Sequence, residues 1–100
     1  MRPIHLATLD KIRPVLILTR EQVRPLLTSV TVAPITSTIR GLSTEVLVGT
    51  ANGLDYDSAI SCDNITTIPR KTIGRLIGYL HPTQEPALAH AIAMAYDLNT

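Results

Sequence analysis

Two stretches decide the fold: Lys11-Ile12-Arg13-Pro14-Val15-Leu16-Ile17-Leu18 and Ala33-Pro34-Ile35-Thr36-Ser37-Thr38-Ile39-Arg40-Gly41. In each, an apolar, β-branched run adjoins a small polar group: Lys-x-Arg just before the first, Thr-Ser-Thr-x-Arg just after the second. Val15 to Leu18 sets four aliphatic side chains in a row, which fits a strand covered on both faces. Polar residues at the ends of such strands project where strand gives way to loop, and loops held on a rigid scaffold are where binding and catalytic groups concentrate. An arginine and a cluster of hydroxyls at two such ends can hold a phosphodiester.

Working outward, Ile4-His5-Leu6 reads as a short strand. Thr19 is placed to cap a short helical turn over Arg20 to Arg24, with Pro25 stopping it. Val30 to Ala33 alternates with period two and reads as a strand that ends at Pro34. Glu45 to Val48 resumes a strand, Asn52-Gly53 signals a turn, and Ser58 to Cys62 is the next strand, with Asp63-Asn64 at its end. Ile65 to Ile68 either continues that strand or begins a turn at Ile68-Pro69, and Arg75 to Leu80 is the last strand. After Thr83 the period changes. Pro86 suits a first helical turn, and Leu88, Ala91, Ile92, Ala95 and Leu98 fall on one helical face, so a helix runs to about Asp97 or Leu98. Five or six short strands and one C-terminal helix packed on them make a mainly β fold, a small barrel-like sheet.

Composition narrows the class. With 100 residues, the chain forms one domain, 1–100. Hydrophobic residues make up 45%, yet there is no Phe and no Trp, only Tyr56, Tyr79 and Tyr96. Val, Ile, Leu and Ala must fill the core, which suits a sheet with little interior room and favours dimerisation. Charge is uneven: residues 1–40 carry six basic side chains against two acidic, and residues 41–100 carry three against six. A polyanion meets the N-terminal part first, unless this is scattered surface charge. Cys62, the one cysteine, has strand-like flanks and reads as a buried structural thiol. With no apolar leader and no apolar run long enough to span a membrane, the chain is expected in the cytoplasm.

The ordered set Lys11-x-Arg13-Pro14-Val15-Leu16-Ile17-Leu18, Ala33-Pro34-Ile35-Thr36-Ser37, Gly53-Leu54, Ser58, Cys62-Asp63-Asn64-Ile65-x-Thr67-Ile68 and Ile77-Gly78-x-Leu80 resembles the MazF/PemK family of toxin endoribonucleases. Family members open with a Gly-x-Ile-Trp-type strand and a long loop before the Arg-Pro. Here only about a dozen residues precede Arg13, and Asp10 is near, but not equivalent to, an acidic residue of that loop. The resemblance implies an SH3-like barrel of the CcdB/MazF/PemK type and a symmetric homodimer. It also implies cleavage of single-stranded RNA without metal or cofactor, and an antitoxin whose C-terminal segment lies over the RNA cleft.

RNA carries its own nucleophile, the 2′-hydroxyl. Cleavage needs a base to deprotonate it, positive charge for the phosphorane and an acid for the 5′-oxygen. Arg13 matches the family's catalytic arginine, whose fork binds two phosphate oxygens; from the residue alone, a surface ion pair is equally open. Thr36 matches the catalytic hydroxyl and would orient the 2′-hydroxyl or relay its proton, although a Thr-Ser-Thr run is also ordinary loop chemistry. Ser37 and Thr38 would donate to phosphate or base edges, and Lys11 and Arg40 would flank the groove as phosphate contacts. Ser58, Asp63 and Asn64 fall at cleft-lining positions, with a plain turn the other reading of Asp63-Asn64. His5, His81 and His90 show no metal spacing: His5 reads as partly buried or solvated, and the other two as solvent-facing. With so few aromatics, RNA binding must lean on charge, hydroxyls and backbone groups, with Tyr56 as the aromatic available.

Two rival readings keep the fold. One is a non-enzymatic toxin that poisons DNA gyrase, like CcdB-type proteins. Those end in a Trp-containing tail, whereas this chain ends Asp97-Leu98-Asn99-Thr100. The other is a degenerate member that binds its antitoxin and cuts nothing, against which Arg13 and Thr36 speak.

Overall fold

The computed structural model describes residues 1–99. Seven strands precede one helix: β1 (Arg2–Thr8), β2 (Ile12–Ile17), β3 (Ser29–Thr36), β4 (Glu45–Val48), β5 (Ser58–Ser61), β6 (Thr66–Pro69), β7 (Ile73–Leu80) and α1 (Glu85–Ala95). All pairings are antiparallel, in the order β4-β5-β3-β2-β1-β7, with β6 also on β3. The expected mainly β fold with a C-terminal helix is thus found, with one strand more than the five or six anticipated.

β3 makes the sheet curl into a half-barrel. Along one edge, Ser29–Val32 pairs with β6 and Ile35–Thr36 with β5. Along the other, Val32–Pro34 pairs with β2. Pro34 therefore lies inside β3 and not at its end, as the sequence suggested. Between the β6 and β5 segments, neither Ala33 nor Pro34 has a strand partner on that edge, so the N–H that proline lacks is not missed there.

Two clusters of buried side chains explain the unbroken aliphatic run. Leu16 belongs to a larger cluster with Ile4, Ala33, Ile35, Val46, Ile60, Leu80, Leu88 and Ala91, beneath α1. Val15 and Ile17 belong to a smaller one with Ala7, Val30, Val32 and Ile68. β2 is covered on both faces, as four consecutive aliphatics require, and each fully buried Val, Leu or Ile contributes about 1.5–3 kcal/mol.

Other expectations shift locally. Thr19 does not cap a helix over Arg20 to Arg24; its Oγ1 accepts from the Thr31 N–H at 2.8 Å. The short 3-10 turn comes later, at Arg24–Leu26, with Pro25 in its first turn. Proline opens this turn instead of stopping one, because its fixed φ suits a first turn that needs no N–H. α1 ends at Ala95, earlier than Asp97 or Leu98. Asp97 takes φ +55° and the Leu98 N–H donates to the Ala93 carbonyl at 2.8 Å, a C-terminal stop of the Schellman kind. Cys62 is buried as expected, but in a 3-10 turn (Cys62–Asn64) just past β5.

The Asn52-Gly53 turn locks onto β7. Buried Asn52 donates from Nδ2 to the Tyr79 carbonyl (2.9 Å) and to Gln84 Oε1 (2.7 Å), and its Oδ1 accepts from the Gly49 N–H (3.1 Å). Gly53 has φ +87°, and a Cβ on it would lie 2.0 Å from the Ile77 carbonyl oxygen; one on Gly78 would lie 1.9 Å from that of Asn52. Two glycines let the backbones touch here. No helix among the described residues is long and apolar enough to cross a membrane.

Candidate active site

The register of β2 on β3 places the two polar groups. Val15 faces Pro34, Leu16 faces Ala33 and Ile17 faces Val32. Carried two positions further, the same register sets Arg13 against Thr36. There β2 and β3 no longer pair, while on its other edge β3 has passed to β5 and Thr36 registers with Ala59. The divergence opens two adjoining clefts. One, of about 370 Å³, is lined by Arg13, Thr36, Ser37, Tyr56, Ser58 and Arg75 among others. The other, of about 570 Å³, is lined by Arg13, Thr36, Thr38, Arg40, Asp63 and Asn64 among others. Arg13 and Thr36 line both and so mark their junction.

Arg13 is in an ion pair and faces the clefts at the same time. Its Nε donates to Asp10 Oδ1 at 3.0 Å and its Nη2 to Asp10 Oδ2 at 3.2 Å. That uses one edge of the guanidinium; Nη1 has no partner among the described residues. These hydrogen bonds hold the Asp10 carboxyl below the usual carboxylate range against some desolvation, and they raise the Arg13 pKa further. Thr36 Oγ1 accepts from the Thr38 N–H at 3.1 Å, which fixes the hydroxyl in a local turn and leaves its hydrogen free to donate.

The walls are braced. Glu45 accepts at Oε1 from the N–H groups of Arg40 (3.2 Å) and Leu42 (3.0 Å), pinning the loop that carries Arg40. Thr44 Oγ1 donates to Asp63 Oδ2 at 2.6 Å, and Asn64 Nδ2 donates to Ser61 Oγ at 2.7 Å. Asn64 therefore keeps its carbonyl oxygen for other partners. Buried Ser58 donates to the Tyr56 carbonyl at 2.9 Å. Burial first, and Asp63 second, push the Cys62 thiol up to about 11.

The structure gathers eight of the nine expected site residues around the two clefts: Arg13, Thr36, Ser37, Thr38, Arg40, Ser58, Asp63 and Asn64. Lys11 is the exception: it is exposed in the turn between β1 and β2 and lines neither cleft. Arg75 and Asp55 line the smaller cleft although the sequence did not point to them, because the wall that holds them comes from β7 meeting the Gly53–Ser58 loop. Asp10 as the partner of Arg13 carried a usable signal, an acid three residues before a base beside a turn. His5 is half-buried with Nδ1 2.9 Å from the Gly74 carbonyl, and His81 and His90 are exposed. Among the described residues no three His, Cys, Asp or Glu side chains converge on one point.

Comparison with known proteins identifies the family. Residues 5–95 match the family described as PemK-like, MazF-like toxins of type II toxin-antitoxin systems. The chain is 67% identical over 99 residues to the Mycobacterium tuberculosis protein named endoribonuclease MazF3, covering 99% of this chain and 96% of that one. The solved structure of the Mycobacterium tuberculosis toxin MazF-mt6 superimposes with a TM-score of 0.98 at 66% identity, over 99% of this chain and 100% of that one. A mycobacterial endoribonuclease solved in complex with its cognate antitoxin shares the fold at a TM-score of 0.88 and 23% identity, over 98% of this chain and 94% of that one. With a family match across nearly the whole chain, and a relative two-thirds identical end to end, this chain belongs to the PemK-like, MazF-like toxins of type II toxin-antitoxin systems.

Proposed function

We propose that this endoribonuclease toxin cuts single-stranded RNA at the junction of its two clefts, using the RNA's own 2′-hydroxyl as nucleophile and leaving a 2′,3′-cyclic phosphate and a 5′-hydroxyl. The observation that carries this reading is the placement of Arg13 and Thr36 at the shared wall of both clefts, just past the end of the β2–β3 ladder. Asp10 holds one edge of the Arg13 fork. The free edge can meet two oxygens of the scissile phosphate, where charge builds in the phosphorane. Thr36, fixed by the Thr38 N–H, directs the 2′-hydroxyl, whose proton passes to solvent water, and Arg13, always charged, steadies the departing 5′-oxygen, which takes its proton from solvent. Ser37, Thr38 and Arg40 contact flanking phosphates, and Asn64 reads a base edge with its free carbonyl.

Selectivity for a short sequence follows from clefts that admit few nucleotides at once. RNA cutting then stops translation and growth. A neighbour in fold is solved in complex with its cognate antitoxin; here an antitoxin segment closes the active surface, and the toxin works in the cytoplasm as a homodimer, a single toxin domain over residues 1–100 in each copy. The gyrase-poison alternative loses its footing with the family match.

Incubating the purified protein with mixed RNA in EDTA tests the proposal. Fragments with 5′-hydroxyl ends are expected from the wild type and not from a folded Arg13→Ala variant. Equal cutting by both would remove Arg13 from the mechanism, and cutting that requires added divalent metal would remove the metal-independent step.

A further inference from the structure

The smaller cleft holds a cation and an aromatic ring that the scissile-phosphate chemistry does not use. Arg75 on β7 is exposed, lines this cleft, and makes no hydrogen bond or ion pair among the described residues. Tyr56 faces it from the Gly53–Ser58 loop with 71% of its surface open. The gap between them is built, not incidental. Leu54 is buried, Ser58 donates to the Tyr56 carbonyl at 2.9 Å, and the Gly53–Gly78 backbone contact presses the loop onto β7. Its volume of about 370 Å³ sits near the lower end of the ~300–1,000 Å³ range of small-molecule sites.

We propose that this cleft is a subsite for one nucleotide beside the scissile linkage, with its base stacked on Tyr56 and its phosphate on Arg75. The assignment rests on the nuclease reading above and extends it to a specificity-determining pair. Stacking needs an accessible ring, which this braced loop offers. Arg75 supplies, across the junction from Arg40, a second cation for a backbone track. Asp55 on the same wall repels a further phosphate and limits the cleft to a single nucleotide.

The test uses the full chain. The linkage that the wild type cuts most in mixed RNA is mapped first. A short single-stranded RNA spanning it is then made with a 2′-deoxy group at the attacking ribose, so that it binds and is not cut. Its affinity is measured against salt for wild type, Arg75→Gln, Tyr56→Phe and Tyr56→Ala, with thermal melts to show that each is folded. Arg75→Gln should flatten the slope of log affinity against log salt by about 0.7, the loss of one single-strand phosphate contact. Making one nucleotide next to the linkage abasic should weaken wild-type binding about tenfold. That loss should persist in Tyr56→Phe and vanish in Tyr56→Ala. An unchanged salt slope in Arg75→Gln, or an abasic loss just as large in Tyr56→Ala, overturns the subsite while leaving the nuclease intact. A wild type that cuts no RNA overturns the nuclease reading and the subsite with it.

Discussion

The pair β2–β3 behaves differently at its two ends. From Val15–Pro34 to Ile17–Val32 it is a closed ladder, with Leu16 wholly buried on one face and Val15 and Ile17 on the other. Two residues on, at Arg13 and Thr36, the ladder has ended, and the side chains are polar and only half-buried. The difference teaches that Arg13 and Thr36 stand where a rigid strand pair ends, so the core beside them fixes their positions.

Substituting one residue at each end tests that division. Arg13→Ala should lower the cutting rate about 10²–10³-fold while shifting stability by no more than about 0.5 kcal/mol. Leu16→Ala should do the reverse, costing about 2–5 kcal/mol of unfolding free energy and leaving the folded fraction active, as paired denaturant melts and rate measurements will show. An Arg13→Ala protein that unfolds as readily as Leu16→Ala would erase the division between the two ends.

Gly78→Ala probes the support of the smaller cleft. A Cβ there meets the Asn52 carbonyl oxygen at 1.9 Å, and two backbones cannot yield as a flexible side chain would. A loss of about 1–3 kcal/mol in a denaturant melt is expected, as for other overpacked sites. Asp10→Asn should slow cutting by on the order of tenfold by letting the Arg13 fork wander. Because the Asp10 pKa is lowered on folding, the pair's contribution is present above the unfolded value of about 3.9 and is lost as pH falls through the lower folded value. The ratio of wild-type to Asp10→Asn rates should therefore stay flat from pH 8 to pH 5; a ratio that collapses within that window would show that Asp10 is not held as the geometry implies. The smallest effect belongs to Cys62. Its thiol, buried and pushed up to about 11, should ignore iodoacetamide at pH 7.5 until the protein is unfolded, read by mass spectrometry.

Much of this was legible from local pattern. The two-sided burial of β2, the alternation of β3 and the helical face of α1 each follow from residues adjacent in sequence, and the resemblance carried eight of the nine site residues to the clefts. What escaped depends on distant partners. Pro34 looked like a strand end because proline lacks a donor; only the switch from β6 to β5 shows that none is needed there. β6 exposes Thr66 and Thr67 and buries Ile68 alone, so four residues carried too little periodicity to declare a strand. Arg75 reaches the site only because β7 pairs with β1, whose Arg2 registers with Leu80 at the far end of the chain. Lys11, one step outside β2, is exposed in the turn and is not among the residues that line the clefts, so its expected phosphate contact has only its nearness in sequence behind it.

A double-mutant cycle on RNA cutting addresses the junction itself. Single-turnover rates in EDTA are measured for wild type, Arg13→Ala, Thr36→Val and the double variant. If guanidinium and hydroxyl act together on one phosphate, the double variant should cut about as slowly as the slower single variant, since once one partner is gone the other has little left to assist. Losses that multiply, each substitution costing its full factor in the presence of the other, would mean that the two side chains act at separate places.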